Sequence, residues 1–190
     1  MSIVDDVVLV DAVGRAVGAA PRLTVHHSRT PRHLAFSFYG FDDRGRFLVT
    51  TRATTKRTWP GIVTNTCCGH PRPGERLEDA VRRRVREELD VQVQRCWLAL
   101  PRFSYRAEMP DGTVEDELCP VFVGSLAGEL DPDPEEVGSA EWTDWDDFSA
   151  RVEREPGRCS PWAALQVPLL AASGFVELAR WPKEALGGAA

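Results

Sequence analysis

The segment Asn65–Val91, NTCCGHPRPGERLEDAVRRRVREELDV, decides how the rest of the chain is read. It opens on a Cys-Gly-His turn at 68–70, passes through a Pro/Gly-rich loop and ends in a stretch crowded with Arg and Glu. Val81, Val85 and Leu89 recur four apart, the apolar stripe of an amphipathic helix, so a helix is predicted over 77–89. On that helix Glu88 falls on the buried stripe, with Arg84 one turn before it. A carboxylate that faces inward must be paired or bound to a cation. Two readings stand: an i,i+4 pair with Arg84, worth about 0.2–0.5 kcal/mol, or a metal ligand, which the preceding loop favours.

Around this segment the composition is that of a soluble globular protein, with 43% hydrophobic and 27% charged residues in 190. We read residues 1–190 as one domain, with an N-terminal strand region to about 30, a core over about 31–150 and C-terminal helices over about 151–180. A net charge of −6 argues against general nucleic-acid affinity. No run approaches the roughly 18 apolar residues of a membrane span. The opening MSIVDDVVLVDAVG has early acids and no basic region, a poor signal peptide. Five cysteines, at 67, 68, 96, 119 and 159, form no CxxC pair, which points to reduced thiols in a cytoplasmic protein and away from a zinc ribbon. The expected partner is a small molecule, with no nucleic acid and no membrane, and the chain is expected to be a monomer or weak homodimer.

Strands are expected over Val4–Val10, closed by a turn at Asp11–Gly14, and over His33–Phe41 and Arg46–Thr51, which flank the hairpin signal Asp42-Asp43-Arg44-Gly45. Residues 19–33 look irregular. Further strands are expected within Val91–Ala107, over Thr113–Val123 after a turn at Met109–Gly112, and over Ala140–Thr143. ELDPDPEEVG reads as a loop, Asp144–Val152 and Pro161–Leu170 as helices, and the tail from Gly187 as frayed. Strands on both sides of a central helix, without a regular βαβ beat, indicate an α+β fold or αβα sandwich on a mixed sheet.

Glu115 and Glu117 share one face of their strand. They are either a solvated face or two carboxylates that need a cation or a shared proton. Pro120 close behind them implies an edge or a bulge. His26, His27 and His33 cluster in sequence and His70 sits in the Cys-Gly-His turn. Three imidazoles with two carboxylates would suit a first-row divalent ion, although single histidines are more often structural. Cys68 reads as an inert small residue or as a thiol presented by the turn and tuned for proton transfer near neutrality. Tyr105 and Trp162 have core packing as their ordinary role.

The spacing Gly69-x5-Glu75-x7-Arg83, then Glu87-Glu88, resembles the Nudix box, with Arg84 where a Glu is usual and Asp90 where a Gly is usual. The stretches RHLAFSF, LVTTRATTKRTWPGIVTNTCCGHPRPGE, FSYRAEMPDGTVEDELCPVF and SPW, in that order, resemble the type 1 isopentenyl-diphosphate isomerases. That resemblance implies a Nudix fold and isomerisation of isopentenyl to dimethylallyl diphosphate through a tertiary carbocation. By position it implies that His26, His33, His70, Glu115 and Glu117 hold one Mn²⁺ or Zn²⁺. It also implies that Glu88 and the Cys68 carbonyl hold Mg²⁺ against the diphosphate. Arg22, Arg52, Lys56 and Arg84 would contact the diphosphate and Trp162 would face the cation. Glu117, with Tyr105 beside it, and Cys68 would carry the two proton transfers from opposite faces, for instance Glu117 to C4 and Cys68 from C2, with the division between them left open. Thr51 and Arg22 depart from the family's usual residues, and Val63 replaces a bulky aromatic, which would enlarge the pocket. The alternatives are a Nudix hydrolase of nucleoside diphosphates, a protonation-initiated cyclase of a longer prenyl chain, and a regulatory domain that binds a metal or diphosphate.

Overall fold

A computed structural model describes residues 5–180. Val4 and the tail from Gly187 lie outside the described residues. The chain runs β1 (Asp6–Val10), β2 (Ala16–Pro21), β3 (His33–Leu34), β4 (Phe36–Phe41), β5 (Phe47–Arg52), β6 (Val63–Thr64), β7 (Cys67–Gly69) and α1 (Leu77–Leu89). It continues β8 (Gln92–Leu100), β9 (Ser104–Glu108), β10 (Val114–Leu118), β11 (Val121–Ala127), β12 (Val137–Thr143), α2 (Trp145–Arg154), α3 (Pro161–Ala171) and α4 (Phe175–Arg180). Two mixed sheets result, a five-stranded one ordered β2-β1-β3-β10-β9 and a seven-stranded one with the path β12-β5-β4-β11-β8.

The seven-stranded sheet is the middle of an αβα sandwich. Alternation along β4 explains how one strand serves two cores. Phe36 and Phe38 pack with Val81, Val85 and Leu89 of α1. Tyr39 and Phe41 pack on the other face with Trp145 and Phe148 of α2 and Val167 and Leu170 of α3. Every residue of β4 is buried, as expected of a central strand covered on both faces.

Helix α1 matches its expected bounds. It has no side-chain N-cap, but Glu78 and Asp79 lie in its first turn, where acids favour the dipole. It ends at Asp90, whose φ of 52° is left-handed. The position where the family pattern has Gly is thus a left-handed cap, which Asp tolerates better than most residues.

Four expectations need correction. Of residues 19–33, expected to be irregular, Ala19, Ala20 and Pro21 belong to β2, which pairs antiparallel with β1. The turn at Asp42–Gly45 forms, but β4 and β5 pair only at Phe41 and Phe47. Beyond that point residues 63–69 wedge between them, β6 pairing with β5 and β7 with β4. The strand expected over Thr113–Val123 breaks at Cys119–Pro120 and passes from one sheet to the other, because Pro120 has no N–H to continue a ladder. Helix α4 falls within the C-terminal helical region expected to about 180, and β12 begins at Val137 rather than Ala140.

Candidate active site

The site lies where two parallel strand pairs change sheets together. β3 pairs with β10 in one sheet and β4 with β11 in the other, with Ala35 and Cys119–Pro120 as the crossing points. Around that junction is a cavity of about 620 Å³ lined by residues of both sheets, α1 and the 52–58 loop.

Register builds its acidic wall. Leu9, His33, Glu117 and Tyr105 are Cα partners in one row across β1, β3, β10 and β9. His33 and Tyr105 therefore flank Glu117 on the same face. His70 arrives from the end of β7, and His26 from a loop tied down by Thr30 Oγ1, which donates to Val114 O at 2.6 Å. The Nε2 atoms of His70, His33 and His26 lie 3.1, 3.4 and 3.8 Å from Glu117 Oε1. One ligand atom from each of the four falls within 4.8 Å of the others.

The donor set fits a divalent cation. His33 Nδ1 is 2.9 Å from Pro31 O, which can only accept, so the hydrogen sits on Nδ1 and Nε2 presents a lone pair. The Nε2 atoms of His26 and His33 are buried without a hydrogen-bond partner, an arrangement that costs stability unless something binds there. Burial holds the His70 imidazole neutral, its pKa down to about 4. His33 loses by burial but gains more from Glu117 and is raised. Burial works to raise Glu117, yet the three imidazoles outweigh it and hold the carboxyl well below its usual range.

Glu115 stands apart from this group of four. Its Oε2 accepts from the Tyr105 hydroxyl at 2.9 Å, and the same hydroxyl lies 3.0 Å from Glu117 Oε2. Burial, then the Glu117 charge, raises the Glu115 pKa. His27 is exposed and takes no part in the group; its Nδ1 accepts from Arg29 N at 3.1 Å.

The thiol wall comes from the other sheet. Cys68 and Ser37 are Cα partners between β7 and β4, so Cys68 Sγ meets Ser37 Oγ at 3.5 Å and Asn65 Oδ1 at 3.2 Å. Burial pushes the Cys68 pKa up to about 12. Of the two readings of Cys68, these surroundings favour a buried thiol held as S–H, while the imidazoles keep Glu117 ionised. Trp162 opens α3 behind the cap Ser160 and is 3% exposed. Its ring centroid is 5.8 Å from that of Tyr105, and the Arg52 guanidinium carbon is 5.8 Å from it. The ring already accommodates a cation.

At the opposite end of the cavity the charges are paired. Glu88 is 8% exposed and bound by Arg84, which also reaches Glu87 at 2.8 Å and Glu136 at 3.2 Å; Lys56 bonds Glu136 as well. Of the two readings of Glu88 the ion pair is present, in a buried rather than a surface setting, and it leaves the carboxylate beside the cavity. Arg22 bonds Asp5 at 2.5 Å, and Arg52 donates to Thr58 O at 2.9 Å. Gly69 is required sterically: a Cβ there would lie 2.9 Å from Arg84 Cγ and 3.1 Å from Phe36 Cζ. Val63 packs against the α2 and α3 core and is not among the residues that line the cavity.

Several residues escaped sequence reasoning. Arg57, Arg72 and Arg83 also line the cavity, and Arg72 Nε is buried without a partner. Glu75 and Arg83, read only as spacing, form a clamp with contacts of 2.7 and 2.8 Å; Arg83 also donates to His70 O at 3.2 Å and so holds the loop that carries His70. Their fixed separation in the Nudix-like spacing was a usable signal. Glu136 had none, because only tertiary folding brings its loop to Lys56 and Arg84.

A family profile described as "NUDIX domain" matches residues 31–163. The isopentenyl-diphosphate Delta-isomerase of Mycolicibacterium vanbaalenii is 56% identical over 169 residues, covering 89% of this chain and 93% of the relative. That of Frankia alni is 52% identical, covering 86% and 84%. Among solved structures, DR0079 from Deinococcus radiodurans superposes with a TM-score of 0.63 at 20% identity, over 88% of this chain and 98% of that one, a likeness of fold.

Proposed function

The chain belongs to the NUDIX domain family and, within it, to the isopentenyl-diphosphate Delta-isomerases, and from that premise we propose how its residues divide the work. The enzyme moves a double bond within isopentenyl diphosphate to give dimethylallyl diphosphate. Such a shift adds a proton at C4 and removes one at C2, with a tertiary cation between, and needs a donor and an acceptor in a site closed to water. Cys68 and Glu117 face one cavity from the two sheets, and that placement carries the reading. The thiol gives its proton, and Glu117, with the Tyr105 hydroxyl beside it, takes one. Because the reaction is reversible, the same groups exchange roles in the other direction. Trp162 lends its ring face to the cation, an interaction worth about 2 kcal/mol when desolvated.

NUDIX enzymes use divalent metals. His26, His33, His70 and Glu117, with Glu115 adjacent, would hold Mn²⁺ or Zn²⁺, and Glu88 with the Cys68 carbonyl would hold Mg²⁺ at the diphosphate end; bound there, these ions supply positive charge that organises the carboxylates and neutralises phosphate. Arg22, Arg52, Lys56 and Arg84 bind the diphosphate by exchanging their present carboxylate and carbonyl partners for phosphate oxygens, so that binding energy sets the alkene between donor and acceptor. We read the enzyme as acting in the cytoplasm, on a small molecule only.

Isopentenyl diphosphate with Mg²⁺ in deuterated water tests the reaction: deuterium should appear in a methyl group of the dimethylallyl product. Release of phosphate without that product would instead establish a hydrolase. Replacement of Cys68 by Ala should lower turnover about 10³-fold, and near-full activity in that variant would remove the thiol from the reaction.

A further inference from the structure

Cys68 and Trp162 belong to different elements, yet their polar hydrogens converge on one atom. Asn65 Oδ1 lies 3.2 Å from Cys68 Sγ, 2.8 Å from Trp162 Nε1 and 2.9 Å from Thr64 Oγ1. Chemistry decides which end of the amide faces them. Asn65 Nδ2 sits 3.0 Å from Phe38 O and 2.9 Å from Cys67 O, and backbone carbonyls only accept, so both amide hydrogens are committed there. An indole N–H only donates, which agrees with the oxygen facing Trp162. The thiol therefore donates to Asn65 and cannot accept from it. Asn65 is fully buried and held at four further points, so the amide has no room to turn.

We infer that Asn65 is a positioning residue whose single carbonyl oxygen aims the Cys68 S–H and fixes its separation from the Trp162 ring. Three donors compete for the lone pairs of that oxygen, and the thiol is the weakest donor of the three. The S–H is thus directed by a weak hydrogen bond, one that is readily given up when an alkene takes the place of the acceptor. On the other side Ser37 Oγ, 3.5 Å from Cys68 Sγ and itself hydrogen-bonded by Gln166 Nε2 at 3.0 Å, keeps the sulfur from swinging away. The geometric part of the inference is independent of the isomerase reading; its catalytic consequence rests on it.

The S–H stretching band of Cys68, assigned by its loss in Cys68→Ala, tests the hydrogen bond directly in the folded wild type. It should lie below the frequency of a thiol without an acceptor. Thr64→Val removes one competing donor and should shift the band lower still. A band at the free-thiol position, or one that ignores Thr64→Val, overturns the inference. Kinetics test the positioning role: Asn65→Ala should lower kcat about 100-fold with KM within about threefold, and an unchanged kcat in that folded variant overturns it. Should Cys68→Ala itself remain active, it is the thiol's part in the proposed reaction that fails, while the spectroscopic result stands on its own.

Discussion

Cys68 shows how burial sets a residue's chemistry. With its pKa pushed up to about 12, the thiolate fraction at pH 8 is about 10⁻⁴, against roughly a quarter for an ordinary thiol near 8.5. Alkylation by iodoacetamide, followed at the Cys68 peptide, should be at least about 100-fold slower than for a free thiol and rise tenfold per pH unit to pH 10. Reaction at the ordinary rate would mean that the thiol is not held neutral. His70 carries a pH dependence of opposite origin. Its native pKa of about 4 lies below the unfolded value of 6.5, so the unfolded chain binds the extra proton first. The neutral imidazole costs nothing above pH 6.5, and stability falls as pH drops from 6.5 towards 4. Glu117, depressed, contributes stability that is lost as pH falls below its unfolded value, whereas the raised His33 contributes stability that is full below pH 6.5 and lost as pH rises through its native pKa. Denaturant midpoints of the metal-free protein should decline from pH 7 to pH 5, and His70→Gln should flatten that decline; an unaltered slope would contradict the burial argument.

At the scale of elements, the loop and α1 act as one unit because Glu75 and Arg83 join them. Removing the guanidinium in Arg83→Met leaves Glu75 with only the Arg72 amide and takes the Arg83 donor from His70 O. The expected loss, read by urea denaturation, is about 1.5–3 kcal/mol, together with weaker metal binding. The end of the helix offers the converse. Asp90 caps α1 in the left-handed region, where Gly carries no steric penalty, and it gives up only an exposed 3.3 Å contact with Arg86. Asp90→Gly should raise stability by about 0.5–1 kcal/mol. A lower melting temperature would show that the cap is not strained. The apolar repeat that predicted α1 was legible because helix burial follows a 3.6-residue period within one segment. The fate of β4 and β5 was not, since the wedge of residues 63–69 between them depends on hydrogen bonds that no local pattern encodes.

At the scale of the molecule, Cys68 and Glu117 come from different sheets, and neither sheet holds the whole cavity. Three imidazoles and Glu117 converge on a buried point where two ring nitrogens lack partners, so a bound divalent ion would stabilise the native state alone. Chelation should lower the melting temperature, and Mn²⁺ or Zn²⁺ should restore it. In His33→Ala that difference should vanish; if it persists, the ion binds elsewhere.

The sequence by itself determined α1, the strong turns, the alternating core of β4 and the family, because those follow from local periodicity and from motifs with fixed spacing. The stretch from Asn65 to Val91 already held the thiol, one imidazole and the Arg84–Glu88 pair. Only the tertiary structure decided that His33, Glu117 and Tyr105 share one row, that Glu115 stands outside the four-residue group, and that Glu136 closes on Arg84 and Lys56. It alone set the protonation states as well. A thiol is driven up and a carboxylate held down by the burial and charges around them, and those surroundings exist only once two sheets meet.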